Sequence, residues 1–211
     1  MSDDFIDTIK TENSTALSRL GSSKALYAET SGELEAEAVL HAAAIAEDAA
    51  RETFEAWADD EADAAAAELF ADVANEEADH YDTVAAEIDN PSRAADVADL
   101  PAIQETLRGF ESTVDRAGGL VGRCLVAKKS KEQYTGYFVG DANPQTASVF
   151  RDLGSDVEAQ LTRAAELVEA VCETADDREQ AHTAATEAIQ AAYTEYTESL
   201  ESMGVNPKPV C

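Results

Sequence analysis

Glu68-Leu-Phe-Ala-Asp-Val-Ala-Asn-Glu-Glu-Ala-Asp-His-Tyr81 is the stretch on which the reading of this chain turns. At about 100° per residue, Phe70, Val73, Glu77, Val84 and Ile88 fall within one arc, with His80 and Tyr81 at its flanks. The pattern predicts an amphipathic helix. Its anomaly is Glu77, a carboxylate in the apolar stripe. An unpaired buried carboxylate costs several kcal/mol, so something must compensate it. His80, nearly one turn on, projects from the same side and is the first candidate partner.

Working outward, the same helical period recurs along the chain. Residues 3–20 read as a short helix with Phe5, Ile6, Ile9, Leu17 and Leu20 as apolar contacts, interrupted near Asn13 and Ser14. Gly21-Ser-Ser opens a second short segment, which Thr30-Ser-Gly ends. Long helices are expected over 31–58 and 64–89, turning near residue 61, the second one ended by Asn90-Pro91. This first hairpin, about 31–90, is followed by a connector over 91–100. Pro101 suits a first helical turn, and a third long helix is expected from there to about 138. Gly118, Gly119 and Gly122 within it read as positions of close helix approach, or as a local break near 118. Gly140 to Pro144 is a turn, and a fourth helix is expected over 145–174, closing a second hairpin of about 101–174. A fifth helix is expected over about 176–203, capped by Gly204, with an irregular tail to Cys211. Phe70 and Phe150 stand at similar distances beyond the two turns, a faint internal repeat.

Composition agrees. Of 211 residues, 45% are hydrophobic, much of that alanine, and only 6% aromatic. Alanine and glutamate favour helix, and no long β-branched alternation exists. The expected fold is all-α and single-domain over 1–211: two hairpins joined by a crossover, the logic of a four-helix bundle, with short N-terminal and C-terminal helices outside it.

The net charge is -29, from 44 acids and 15 bases. So acidic a surface repels itself at ordinary salt, and at molar salt the Debye length falls to about 3 Å. High acid with scarce lysine resembles cytoplasmic proteins of salt-accumulating haloarchaea, so a high-salt cytoplasm is the expected location. The overall charge argues against general binding to DNA or RNA. No apolar run is long enough to span a membrane, and Met1-Ser-Asp-Asp does not open a signal peptide. The three cysteines lack a C-x-x-C pair; Cys124 and Cys172 are expected in the core and Cys211 on a mobile terminus.

A hairpin turning near residue 61 sets His41 opposite His80, with Glu37 one turn before it and Asp48 continuing that face. Glu37, His41, Glu77 and His80 are thereby expected to gather two imidazoles and two carboxylates, a set suited to iron, manganese or zinc. The competing reading is a pair of ordinary helix-surface contacts in an acid-rich chain. His182 has no comparable partner and reads as surface.

Across Glu68–Tyr81 the sequence resembles the rubrerythrin branch of the ferritin-like superfamily: an apolar-Phe pair, alanine, then Glu-x-x-His at the same intervals. The resemblance implies a ferritin-like four-helix bundle with Glu77 and His80 as metal ligands. It places the first-helix ligand near Ala44, where the nearest acids are Glu47 and Asp48, with His41 a substitute from the other side. It also implies a second Glu-x-x-His on the fourth helix, where this chain carries Val157 and Gln160. The third helix offers Leu120, Cys124, Leu125 and Ala127 at that level, without a carboxylate. The rubredoxin-type cysteine pairs of some relatives are missing. The implied function is an oxidoreductase handling oxygen or peroxide with iron or manganese, without haem or nucleotide. A single metal, a homodimer pairing two half sites, or a non-catalytic assembly protein with a degenerate site all satisfy half a ligand set.

Arg108, Arg116, Arg123, Lys128, Lys129 and Lys131 concentrate base in one segment, and Gln133-Tyr-Thr-Gly-Tyr-Phe after them suggests aromatic surface. Either an acidic or phosphate-bearing partner docks at 108–131, on Arg123, Lys128, Lys129 and Lys131 above all, or these bases neutralise carboxylates of neighbouring helices.

Overall fold

The helices Ala64–Ala85, Thr113–Gly140, Pro144–Val171 and Ala175–Ser202 begin where a side chain accepts an orphan N–H group of the first turn. The computed structural model describes residues 2–96 and 100–207, and over them the chain is all-helical, without strands. Nine α-helices are present among the described residues: α1 Ser2–Glu12, α2 Ser14–Leu20, α3 Ser23–Glu29, α4 Ala36–Asp60, α5 Ala64–Ala85, α6 Ala102–Arg108, α7 Thr113–Gly140, α8 Pro144–Val171 and α9 Ala175–Ser202. The Asp63 carboxylate caps α5 by accepting from Ala66 N at 2.9 Å. Asn143 caps α8, with Pro144 at its first position. Thr174 and Asp177 cap α9 reciprocally, Thr174 N donating to Asp177 Oδ2 at 2.8 Å and Asp177 N to Thr174 Oγ1 at 3.1 Å.

The main departure from expectation is the third long helix. It is two helices, α6 and α7, parted at 109–112 rather than near 118. Ser112 ends the break by accepting from Asp115 N at 3.1 Å, and Arg116 Nε reaches back to donate to Phe110 O at 3.1 Å. Gly118 and Gly122 are packing positions. A Cβ on Gly118 would lie 2.1 Å from Ala181 O, and one on Gly122 2.3 Å from Ala185 O, so α9 lies directly on the backbone of α7. The aromatic run after Lys131 is core, not surface: Tyr134 and Phe138 are buried, with Phe138 stacked on Phe150 at 5.6 Å.

α4 and α5 form one antiparallel hairpin, and α7 and α8 another. α5 lies against α8, α4 approaches α7, and α9 runs along the other side of α7. The N-terminal helices cover α7, α8 and α9. Asn13, buried between α1 and α2, ties them to α9: its Nδ2 donates to Thr186 Oγ1 at 3.1 Å and its Oδ1 accepts from Gln190 at 2.9 Å. Buried Asp48 fastens the connector, accepting from Ala94 N and Arg93 Nη1, each at 3.0 Å. Residues 97–99 of that connector, and 208–211 of the tail with Cys211, lie outside the described residues. Cys124 and Cys172 are buried and unpaired. No helix among the described residues is long and apolar enough to cross a membrane.

The core has two large clusters and a small third one of Ala28, Tyr196 and Leu200. One large cluster gathers Phe54, Trp57, Phe70, Leu120 and Leu161; the other gathers Val39, Tyr81, Val84, Tyr134, Phe138 and Phe150. Along α4, α5 and α7 the change from one cluster to the other falls at Glu47, at Glu77 to His80, and between Val126 and Tyr134. A polar layer therefore separates the two large clusters, and it holds the chemistry.

Candidate functional site

Glu47 from α4 and Glu77 and His80 from α5 form a buried group that could hold a metal ion, with one ligand atom from each lying within 4.8 Å of the others. The helical period explains which α4 residue arrives. Leu40, Ala44, Glu47 and Phe54 lie on the buried face of α4; Glu47 lies near its centre and His41 about 120° from Glu47. The loop closes over 61–63, slightly later than a turn at 61, so Glu77 meets the level of Glu47 instead of residue 45. The expected His41–His80 pairing is therefore not formed. His41 is half-buried, its Nδ1 2.9 Å from Ser92 Oγ and its Nε2 3.8 Å from exposed Glu37. His182 pairs with Glu12 at 2.9 Å.

The carboxylates are met by cations from α7. Arg123 holds Glu77 with two parallel hydrogen bonds, Nη1 to Oε1 at 2.9 Å and Nη2 to Oε2 at 2.5 Å. Gln160 of α8 donates from Nε2 to Glu77 Oε1 at 2.8 Å and accepts from Arg123 Nη1 at 3.0 Å. Lys131 Nζ donates to Glu47 Oε1. Two carboxylates thus face two cations. Where the family resemblance implies further metal ligands, this chain brings a guanidinium and an amide.

Environment separates the two acids. Burial works to raise the pKa of Glu77, but the charges of Arg123 and then His80 outweigh it and hold the carboxyl at about 2. Burial raises Glu47; Lys131 opposes that rise and the charge of Glu77 adds to it, leaving the pKa above its ordinary value. Burial likewise pushes the Cys124 thiol up to about 12, so it is no nucleophile at neutral pH.

Two atoms in the layer lack a close hydrogen bond, Glu47 Oε2 and His80 Nδ1, with Arg123 Nη2 3.9 Å from Glu47 Oε2 and the Glu47 carboxyl near enough to Glu77 to share a proton with it. The two atoms stand 4.0 Å apart, and His80 Nδ1 is 3.8 Å from Glu77 Oε1. Metal–ligand bonds to imidazole and carboxylate are about 2.0–2.2 Å, so one ion bonded to both orphaned atoms spans that separation. On its other edge His80 Nε2 is 3.3 Å from Asp156 Oδ2, a carboxylate on α8 placed to fix the ring. The residues present fit one ion. Glu77 Oε1 already accepts from Arg123 and Gln160, so its ligation competes with those bonds.

The basic residues at 108–131 pair within the chain. Arg108 reaches Thr53 and Glu52, Arg116 reaches Asp60 and Glu61, Lys128 pairs with Glu158, and Lys129 with Glu132. The inward role of Arg123 had the same sequence signal as Glu77, whereas Lys131 lies about 80° round the helix from Arg123. Arg116, Arg123 and Tyr134 fall within about 20° of one another on the stripe of α7.

A cleft of about 420 Å³ opens beside the layer, walled by α3, α4, α6, α7 and α9 and floored by Glu47, Arg123 and Lys131. Glu29 lies on its wall, exposed at the opening but with protein crowded around it, and accepts from Tyr134 Oη. Burial is the largest cause that lifts the Glu29 pKa from 4.5 to about 7. The folded state therefore binds this proton more tightly than the unfolded chain. Stability from Glu29 is fully present below about pH 4.5 and is lost as pH rises through 7. Amide exchange over α3, corrected for intrinsic rates, is expected to accelerate as pH rises through about 7. Flat protection through that pH would contradict it.

No protein-family model, curated protein or solved structure matches the chain.

Proposed function

We propose that this chain is a rubrerythrin-related, ferritin-like bundle that holds one redox-active divalent metal between Glu47, Glu77 and His80 and handles oxygen or peroxide. The observation that carries the reading is the facing pair of orphaned atoms, Glu47 Oε2 and His80 Nδ1, in an otherwise satisfied layer. A buried acceptor without a donor is costly, and an ion between the two satisfies both at once. The mixed carboxylate and imidazole set suits iron or manganese. Bound there, such a metal supplies the electrons that reduce oxygen or peroxide.

The protein's own groups do the rest. Asp156 accepts from His80 Nε2–H, which leaves the lone pair of Nδ1 directed at Glu47 and Glu77. Arg123 keeps Glu77 ionised. Lys131 Nζ holds protons against Glu47 Oε1 on the cleft floor, where a small oxidant would enter. The apolar clusters on both sides keep bulk water from the layer.

Metal content measured by mass spectrometry on protein purified in molar KCl is expected to be about one ion per chain. His80→Ala and Glu47→Gln are each expected to lower it at least tenfold, with helicity unchanged. No iron, manganese or zinc above background would sink the proposal. Metal retained by both variants would sink the site.

The pairing of Arg123 with Glu77 and of Lys131 with Glu47 favours a second reading, a non-catalytic assembly protein whose layer is purely structural. It is distinguished by metal-free protein melting at the same temperature as protein supplied with iron or manganese.

A further inference from the structure

The cleft carries an inference separate from the metal. Its rim is apolar, including Leu20, Ile45, Ile103, Val126 and Tyr196. The polar atoms it leaves buried and without a close hydrogen bond are both acceptors, Gln104 Oε1 and Glu47 Oε2. Gln104 is nine-tenths buried and more, on α6 at the cleft wall. Glu29 and Glu195 add two carboxylates to its wall, and the charge of Glu195 reaches Glu29, where the charge of Lys131 opposes it. Their hydrogen-bond donors are neutral, Tyr134 Oη for Glu29 and Ala102 N for Glu195 at 3.2 Å. The two cations on the floor are engaged elsewhere, Arg123 by Glu77 and Lys131 by Glu47.

We propose that this cleft is a binding site for a small organic cation, an ammonium group on an apolar body, received by Glu29, Glu195 and Gln104. The apolar walls take the body. The acceptors take the ammonium donors, and the positive charge relieves the repulsion between Glu29 and Glu195. Burial is the largest cause that holds each carboxyl above its ordinary pKa; the charge of Glu195 adds to it at Glu29, and the charges of Glu105 and Glu198 add to it at Glu195. An anion of equal size meets two carboxylates and no uncommitted cation. A neutral alcohol gains the walls but not the charge.

The test is calorimetric titration of the intact chain with hexylammonium, hexanoate and hexanol, which share one apolar tail. Hexylammonium is expected to bind saturably, on the order of tenfold more tightly than hexanol, with no heat from hexanoate. Glu195→Gln and Glu29→Gln keep an acceptor for Ala102 N and for Tyr134 Oη, so the fold is retained, as checked by circular dichroism. Each is expected to weaken hexylammonium on the order of tenfold and leave hexanol unchanged. Equal affinity for hexanol and hexylammonium, no saturable binding of the ammonium, or unchanged affinity in both variants overturns the assignment. Titrations with and without chelator should agree, because Glu29 and Glu195 stand outside the metal group. A dependence on chelator would move the ligand onto the metal and overturn the cleft site, whereas loss of metal content alone leaves it standing.

Discussion

Gly122→Ala is expected to unfold the contact between α7 and α9, while Gly136→Ala on the same helix stabilises the chain. The added Cβ at 122 would stand 2.3 Å from the carbonyl oxygen of Ala185, a backbone atom that cannot swing aside. Relief requires α9 to move on the order of 1 Å along its seam, disturbing Ala181, Ala185 and Ile189 together. Overpacking of this kind costs about 1–3 kcal/mol and more when backbone must shift. The gain in helix propensity from glycine to alanine, about 1 kcal/mol, does not offset it. Gly118→Ala, 2.1 Å from Ala181 O, is expected to behave the same way. Gly136 is exposed with nothing within 4 Å of its would-be Cβ, so there only the propensity gain remains. Urea unfolding of the three variants gives the comparison. A Gly122→Ala chain as stable as the parent would show that α9 does not lie on α7 at that point.

Arg123→Met is the second large effect. It leaves the Glu77 carboxylate at 0% exposure with Gln160 as its remaining close donor. Removing one partner of a buried ion pair typically costs 3–5 kcal/mol, because the other charge stays behind. The double variant Arg123→Met, Glu77→Gln is expected to recover at least half of the loss, since no buried charge is stranded. A single variant losing less than about 1 kcal/mol in urea titration would show that the pair is not buried as described. The same variant tests the metal proposal from another side. A cation supplied to it replaces the missing guanidinium, so added manganese should raise its melting temperature more than that of the parent.

The hairpins were legible because each boundary has a local cause: Asp63, Asn143 and Thr174 are capping residues, and Pro144 and Gly140 mark a turn. The break at 109–112 was equally local, with Gly109 and the Ser112–Asp115 pair, but the long apolar period on either side of it masks it. The site was legible in part. Glu77 stands out because it occupies a core position, and Glu47 lies on the matching face of α4. What a single helix cannot reveal is how two faces meet. His41 and Glu47 compete for the level of His80, and a shift of the loop from 61 to 61–63 changes which one arrives. Arg123 and Lys131 pair with Glu77 and Glu47 across sequence separations of 46 and 84 residues, and only the packing of α7 on both helices brings them together.

The walls of the cleft also set a schedule. Ser199 on α9 donates to the carbonyl of Ala28 at 2.9 Å, a bond joining residues 171 apart in the chain. At roughly 5–20 residues per second, a ribosome needs roughly ten to thirty seconds to travel between those two positions. In the last part of that interval α4, α5 and α7 have been made, but the helix that encloses Glu47 and Lys131 is not yet complete. The nascent chain therefore presents its charged layer openly during synthesis, and whatever the layer is to receive can arrive before the last wall is built.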